Sequence, residues 1–193
     1  MKLVSTLPFF TRDGSHEVAY HPLSRGAYEQ LPHIKVTDNL TPAQEFAQYK
    51  TLIFAMTDFT PEQFEALTAP DFLQLCRDLQ TFTLTPADEL REQPIDGHTF
   101  AFDLLFPFTN ELGQTIEHIE FKVPKVKHSE ALANIDNNDE REDFMFQVVT
   151  GLSKADVARM AVNDYLTIKG QVGAFFTLAG DYFHPAMSNA LSI

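Results

Sequence analysis

The chain has 193 residues, of which 44% are hydrophobic, and its 14 basic and 27 acidic residues give a formal charge of −13. This length predicts one large domain or two small ones, and 18 Phe and 5 Tyr supply bulky side chains for a core. The single cysteine, Cys76, excludes an intramolecular disulfide and a cysteine-rich zinc site, and it favours a reducing compartment. The negative charge disfavours nucleic acid as a partner, because it repels phosphate groups.

The amino-terminal stretch and the apolar runs predict neither a signal peptide nor a membrane span. Pro8 and the charged residues 12 and 13 interrupt the start of the chain before an apolar region can accumulate. The longest apolar runs, residues 100–108 and 172–178, are far shorter than the roughly 20 residues that cross a bilayer. We therefore expect a cytoplasmic protein with no membrane partner.

The first half of the chain predicts a β-hairpin followed by helices. Residues 7–11 are apolar, residues 12–15 carry a turn signal, and residues 16–20 continue as a second strand. After a polar stretch, residues 43–56 have helical periodicity, and the capping signature at residues 60–63 predicts a further helix start. Each of these features has a counterpart in the second half.

An acidic, proline-containing stretch divides the chain near its midpoint. Residues 86–97 predict a linker with one short helix. The linker separates a first unit, residues 1–85, from a second unit, residues 98–193.

The second unit repeats the order of the first. The strands are predicted at residues 100–108 and 119–123 around a turn at 110–114, and a helix at 139–149 precedes a second capping signature at 153–156. The sequence thus predicts an α+β fold of two similar units, each a hairpin followed by about three helices.

A constant offset between the two units aligns their helical segments without gaps. The identical pairs are Thr57/Thr150, Asp71/Asp164, Leu73/Leu166 and Phe82/Phe175, and the other aligned positions share apolar character. This pattern favours a tandem duplication. The alternative is two unrelated α+β halves, since any two amphipathic helices share part of such a pattern.

The sequence contains no familiar catalytic, cofactor or metal motif. It has no P-loop, no dinucleotide-binding glycine pattern, no nucleophile elbow and no HExxH pair. The acidic residues 136–143 fail as a calcium loop, because Arg141 stands where glycine is needed and Gln147 where a bidentate glutamate is needed. Asp71 and Asp164 can be a carboxylate pair, but a role at a helix start is favoured for each. We therefore predict no enzyme, no cofactor and no metal site.

The end of the second unit carries a pattern that points to a known family. Its members are residues 150–152, Val157, Met160, residues 164–166, Ile168, Val172 and residues 175–176. This pattern resembles the small phage tail assembly chaperones of the E/41/14 type, from Mu-like and related contractile-tailed phages. The first unit matches less closely, with Asp58 in place of the expected glycine and Thr83 in place of the second phenylalanine.

The resemblance implies a non-enzymatic role. Such chaperones are thought to coat the long, helical, hydrophobic tape-measure protein in the host cytoplasm until tail-tube subunits displace them. The expected partner is therefore the tape-measure protein or another tail protein, and a homo-oligomer is compatible with this role. The candidate partner-binding residues are Phe59, Phe82, Leu152, Phe175 and Phe176. The alternative for each is a place in the core.

Two other functions remain open. The charge of −13 fits an acidic interaction or decoy protein that imitates DNA, although the carboxylates cluster at residues 88–96 and 136–143 and do not form regular rows. The same fold class also permits a structural tail component.

Overall fold

Each half of the fold contains a two-stranded antiparallel hairpin that is followed by helices, and in the second half one short helix precedes the hairpin. The computed structural model describes residues 3–36 and 39–183. The chain divides into two compact units, Met1–Thr85 and Pro86–Ile193. The predicted α+β class is confirmed, since both units combine one hairpin with helices. No helix in the described ranges has the length and apolar character that a membrane span requires.

The first unit contains two strands and four helices within its described residues. These are β1 (Val4–Thr6), β2 (Glu17–Ala19), α1 (Arg25–Glu29), α2 (Pro42–Met56), α3 (Pro61–Glu65) and α4 (Ala69–Leu84). Thr41, Thr60 and Thr68 cap the last three helices, because each hydroxyl accepts a hydrogen bond from the main-chain N–H three residues on. A proline in the first turn of each of these helices has no N–H to leave unsatisfied.

The first strand lies earlier than the sequence predicts. β1 ends at Thr6, and beyond it only Leu7 and Arg12 continue the pairing, with His16 and Ser15. Pro8 has no N–H to donate, which ends the regular ladder there. Residues 7–11 were predicted as strand because they are apolar, but of these only Leu7 and Phe10 are buried, and Phe9 is 67% exposed.

The second unit contains two strands and six helices within its described residues. These are α5 (Ala87–Leu90), β3 (Ala101–Thr109), β4 (Thr115–Glu120), α6 (Val126–Ala133), α7 (Asn138–Thr150), α8 (Lys154–Arg159), α9 (Val162–Thr177) and α10 (Gly180–Phe183). The boundary between the units falls between Thr85 and Pro86. Within residues 86–97, Ala87 is fully buried, and Asp88 accepts a 2.8 Å hydrogen bond from the hydroxyl of Thr167.

Each unit has a core of its own. In the first unit, the fully buried side chains include Leu7, Val18, Ile53, Met56, Leu75 and Leu79. In the second unit, α9 supplies much of the core, and the rings of Phe146 and Tyr165 stack at 5.3 Å between centroids. Aromatic pairs of this kind add directional packing to the apolar burial.

The break after the first long helix has the same local structure in both units. The hydroxyls of Thr57 and Thr150 donate to the carbonyls four residues earlier, at 2.8 and 2.7 Å. Each hydroxyl oxygen also accepts from the N–H two residues on, that of Phe59 or of Leu152. These equivalent bonds are consistent with the duplication, which stays a prediction.

Candidate protein-interaction surfaces

A buried aspartate in the first turn of the long helix of each unit binds the hairpin backbone. In the second unit, Asp164 accepts hydrogen bonds from the N–H groups of Leu105, at 2.7 Å, and Phe106, at 2.9 Å. In the first unit, Asp71 accepts from the N–H of Phe9 at 3.3 Å. Both aspartates are fully buried. Each therefore fastens its own hairpin to its own helix.

The carboxylate of Asp164 accepts hydrogen bonds from two main-chain N–H groups at an interruption of the β3–β4 pairing. The register of β3 against β4 shifts between Asp103 and Phe108, which frees main-chain groups from the hairpin. The guanidinium of Arg91 donates to the carbonyls of Asp103 and Leu104 on this stretch. Burial raises the pKa of Asp164 to about 6, against the opposing effects of its two N–H donors and the charge of Arg91.

The five sequence-predicted contact residues lie mostly in the cores. Phe59 and Phe82 are each 6% exposed, Phe175 is 8% exposed and Leu152 is 9% exposed. Phe176 is only partly buried, against the core of the second unit. In the described structure, Phe176 is thus the one of the five with appreciable surface.

An open groove runs beside α9 in the second unit, with a volume of about 690 Å³. Gly170 and Gly173 lie along it, and apart from the backbone of α9 itself, no described atom lies within 4 Å of the place where a Cβ would stand on either glycine. Asp88 and Glu89 also line the groove. Because Gly170 and Gly173 have no side chains, the backbone of a partner can approach this part of the groove closely. Asp88 of α5 and Tyr182 of α10 lie at the other side of the groove.

A second apolar surface lies on the first unit, where α2, α3 and α4 meet. We call it the aromatic surface; it consists of Phe46, Phe54, Phe64 and Phe72. The ring centroid of Phe46 lies 5.2 Å from that of Phe72 and 6.3 Å from that of Phe64. Phe46 is 48% exposed at the edge of this surface. This surface was not among the sequence-predicted contacts.

The second unit has polar groups at its equivalent of this surface. Tyr165, the counterpart of Phe72, is buried, and its hydroxyl donates to Glu142. Lys169 pairs with the same glutamate at 2.7 Å and lies 5.4 Å from the centre of the Tyr165 ring. The aromatic surface is therefore a property of the first unit.

The described residues offer interaction surfaces and no grouped metal ligands. They contain no group of three or more His, Cys, Asp or Glu side chains suited to holding a metal ion. The fold and its surfaces thus define a small α+β protein whose clearest features are a groove and an aromatic surface.

Comparison with known proteins finds one family match, within the second unit. Residues 101–177 match the family model of phage tail assembly chaperone proteins, E, or 41 or 14. The predicted resemblance is confirmed over this segment, which runs from the start of β3 to the end of α9. The match covers less than half of the chain and leaves the first unit outside it. No curated protein and no solved structure matches the chain.

Proposed function

We propose that this protein is a non-enzymatic tail assembly chaperone that binds the tape-measure protein in the host cytoplasm. It keeps that partner soluble until tail-tube subunits displace it. The observation that carries this proposal is the family match over residues 101–177. That segment contains most of the second unit's core and the whole of α9.

The groove beside α9 supports a helical partner. A helix that lays its apolar face into a groove is a common mode of recognition, and Gly170 and Gly173 allow close approach of its backbone. The partly buried Leu166 adds apolar lining to the groove. The formal charge of −13 keeps the complex soluble while apolar surface of the partner is covered.

The proposal is tested by co-expression with the long helical tail protein encoded beside this one. The complex is isolated by pulldown and measured by size exclusion with light scattering, at low and high salt. We expect a soluble complex with several copies of the chaperone per partner that survives high salt. If the partner stays insoluble, the chaperone role is wrong.

Filling the groove tests where the partner binds. Gly173→Leu adds an apolar side chain at the groove, where a Cβ meets no described atom within 4 Å outside its own stretch of α9. The matched control is Gln147→Leu, which adds the same side chain to an exposed position on α7 outside the groove. We expect Gly173→Leu to weaken the complex and Gln147→Leu to leave it intact. Equal complexes from both variants would remove the groove from the proposal.

The acidic decoy is the second candidate function, favoured by the charge of −13. A decoy binds a basic site mainly through charge, so its complex dissociates as salt screens that attraction. A complex that high salt dissolves completely would therefore favour the decoy over the chaperone.

A further inference from the structure

The residue that follows each hairpin closes it with the same hydrogen bond. The N–H of Tyr20, one residue after β2, donates at 3.1 Å to the carbonyl of Leu3, one residue before β1. The N–H of Phe121, one residue after β4, donates at 2.8 Å to the carbonyl of Phe100, one residue before β3. The two bonds therefore occupy the same place in the two hairpins, although β1 has three residues and β3 has nine.

The next residue of the chain joins each hairpin to the first long helix of its unit. The N–H of His21 donates to the carbonyl of Met56 at 3.0 Å, and the N–H of Lys122 donates to the carbonyl of Val149 at 2.7 Å. The constant offset that aligns the helical segments also pairs Met56 with Val149, and both residues are fully buried. Each hairpin is thus held to the same position of the equivalent helix.

The aromatic packing beside the two hairpins also corresponds. Measured between ring centroids, Phe82 of α4 lies 5.2 Å from Tyr20, and Phe175 of α9 lies 6.3 Å from Phe121. Phe82 and Phe175 are one of the identical pairs in the alignment of the helical segments. The residue that closes each hairpin therefore packs on the same position of the last long helix.

The buried aspartates bind matching positions of the two hairpins. Asp71 accepts a hydrogen bond from the N–H of Phe9, and Asp164 accepts one from the N–H of Phe106. Each donor stands five residues after the first strand of its hairpin begins. The aspartates are paired by the alignment of the helices, and their donors are paired by position in the hairpins. These two independent alignments select the same contact.

We propose that the first unit is a second, diverged copy of the chaperone unit, so that one chain presents two such units to the tail protein. Two unrelated α+β halves can share an order of strands and helices, but shared contacts at matching positions are expected of a repeat. The family match over residues 101–177 covers one of the two units. The inference rests on the proposed function only in assigning the tail protein to both units.

Two chimeras of the full chain test whether the units are equivalent. In the first, residues 60–84 are replaced by a second copy of residues 153–177, which the constant offset aligns with them. In the second, the copy is taken from residues 155–179, and this shift of two residues turns the buried face of the helix by about 200°. Both chimeras keep Cys76, a buried residue of α4 whose thiol reports whether the first unit is folded.

The measurement is the reaction of this thiol with a disulfide reagent. We expect the thiol to react at least about tenfold faster in the shifted chimera than in the aligned one. Equally slow reaction of the two chimeras would overturn the proposal, because the alignment would then have no structural meaning. If both chimeras react fast because neither folds, amide exchange in point variants decides.

Phe82→Leu and Phe175→Leu remove matching ring contacts beside the two hairpins. We expect Phe82→Leu to speed exchange of the His21 amide about threefold to tenfold and to leave the Lys122 amide unchanged, as measured by NMR. Phe175→Leu should have the reverse effect. A response in only one of the two units, or in neither, would show that the contacts are not equivalent and would overturn the proposal.

Binding of the tail protein tests whether both units act on it. The shifted chimera keeps the sequence of the second unit and loses the avidity of the first, so we expect it to bind at least about tenfold more weakly than the wild type. Undiminished binding would overturn the proposal that the first unit is a chaperone unit. If the wild type itself forms no complex, the proposed function fails, whereas the thiol and amide measurements still decide whether the two units are equivalent.

Discussion

The carboxylate of Asp164 accepts a 2.7 Å hydrogen bond from the backbone N–H of Leu105, which fixes the second hairpin to α9. Its other oxygen accepts from Phe106 at 2.9 Å. The equivalent Asp71 holds the first hairpin by one bond of 3.3 Å, and its Oδ2 has no hydrogen-bond partner among the described residues. The hydrogen bonding between the aspartate and the hairpin backbone is therefore stronger in the second unit, which carries the family match.

Removing each carboxylate should expose this difference. Asp164→Ala leaves two N–H groups without acceptors, and we expect it to lower the free energy of unfolding by about 2 kcal/mol. Asp71→Ala loses one long bond, so we expect less than about 1 kcal/mol. Differential scanning calorimetry of the full chain measures both variants. Equal losses would contradict the difference in hydrogen bonding.

The pKa of Asp164 also predicts a pH dependence. Burial raises this pKa from 3.8 to about 6, so between these values the folded protein binds a proton that the unfolded chain does not. This contribution to stability is complete below about pH 4 and is lost as the pH rises through 6, a change of about 3 kcal/mol. Asp164→Asn should flatten this part of the stability profile, measured by calorimetry from pH 4 to 7.5.

The control for this profile is Asp139→Asn, which removes one negative charge from an exposed site on α7. It should keep the wild-type pH dependence between 4 and 6. If both variants change the profile alike, the effect comes from net charge and not from the burial of Asp164.

The helix starts were predictable because their signals are local. The capping boxes at Thr60 and Gln63, and at Ser153 and Asp156, form as their spacing indicates. The short helices α1 and α10 have five and four residues, too few to show helical periodicity in the sequence. Neighbouring elements determine whether such segments become helical.

The exposed surface was harder to predict than the fold. A phenylalanine pattern does not show which helix will cover a given ring, so Phe59 and Phe175 were selected although both are buried. A usable signal for the aromatic surface existed on α2. Phe46, Ile53 and Phe54 share one broad apolar face of α2 at spacings of seven and eight residues, and the core buries Ile53 while Phe46 stays 48% exposed.

Gly97 should be the least replaceable glycine of the second unit. A Cβ on this residue would stand 2.1 Å from the carbonyl oxygen of Tyr182, so Gly97→Ala must push α10 away. Phe183 would then lose its 4.7 Å stacking contact with Phe175. We expect a loss of about 2 kcal/mol in stability and faster chymotrypsin cleavage at Tyr182 and Phe183.

The matched control for Gly97→Ala is Gly170→Ala. Gly170 lies inside α9 with open space at its Cβ position. Because alanine favours a helix interior over glycine, we expect this variant to gain about 1 kcal/mol. Destabilisation by both variants alike would mean that the contact with Tyr182 is not responsible.

Cys76 should report on the first unit alone. Its thiol is 4% exposed, and burial raises its pKa to about 12, so little thiolate is present at pH 8. We expect slow reaction with a disulfide reagent in the native protein and complete reaction in urea. Because the chain has one cysteine, the native rate measures how often the first unit opens. Asp71→Ala should raise this rate, whereas Asp164→Ala, in the other unit, should leave it unchanged. An increase from Asp164→Ala would show that the two units open together.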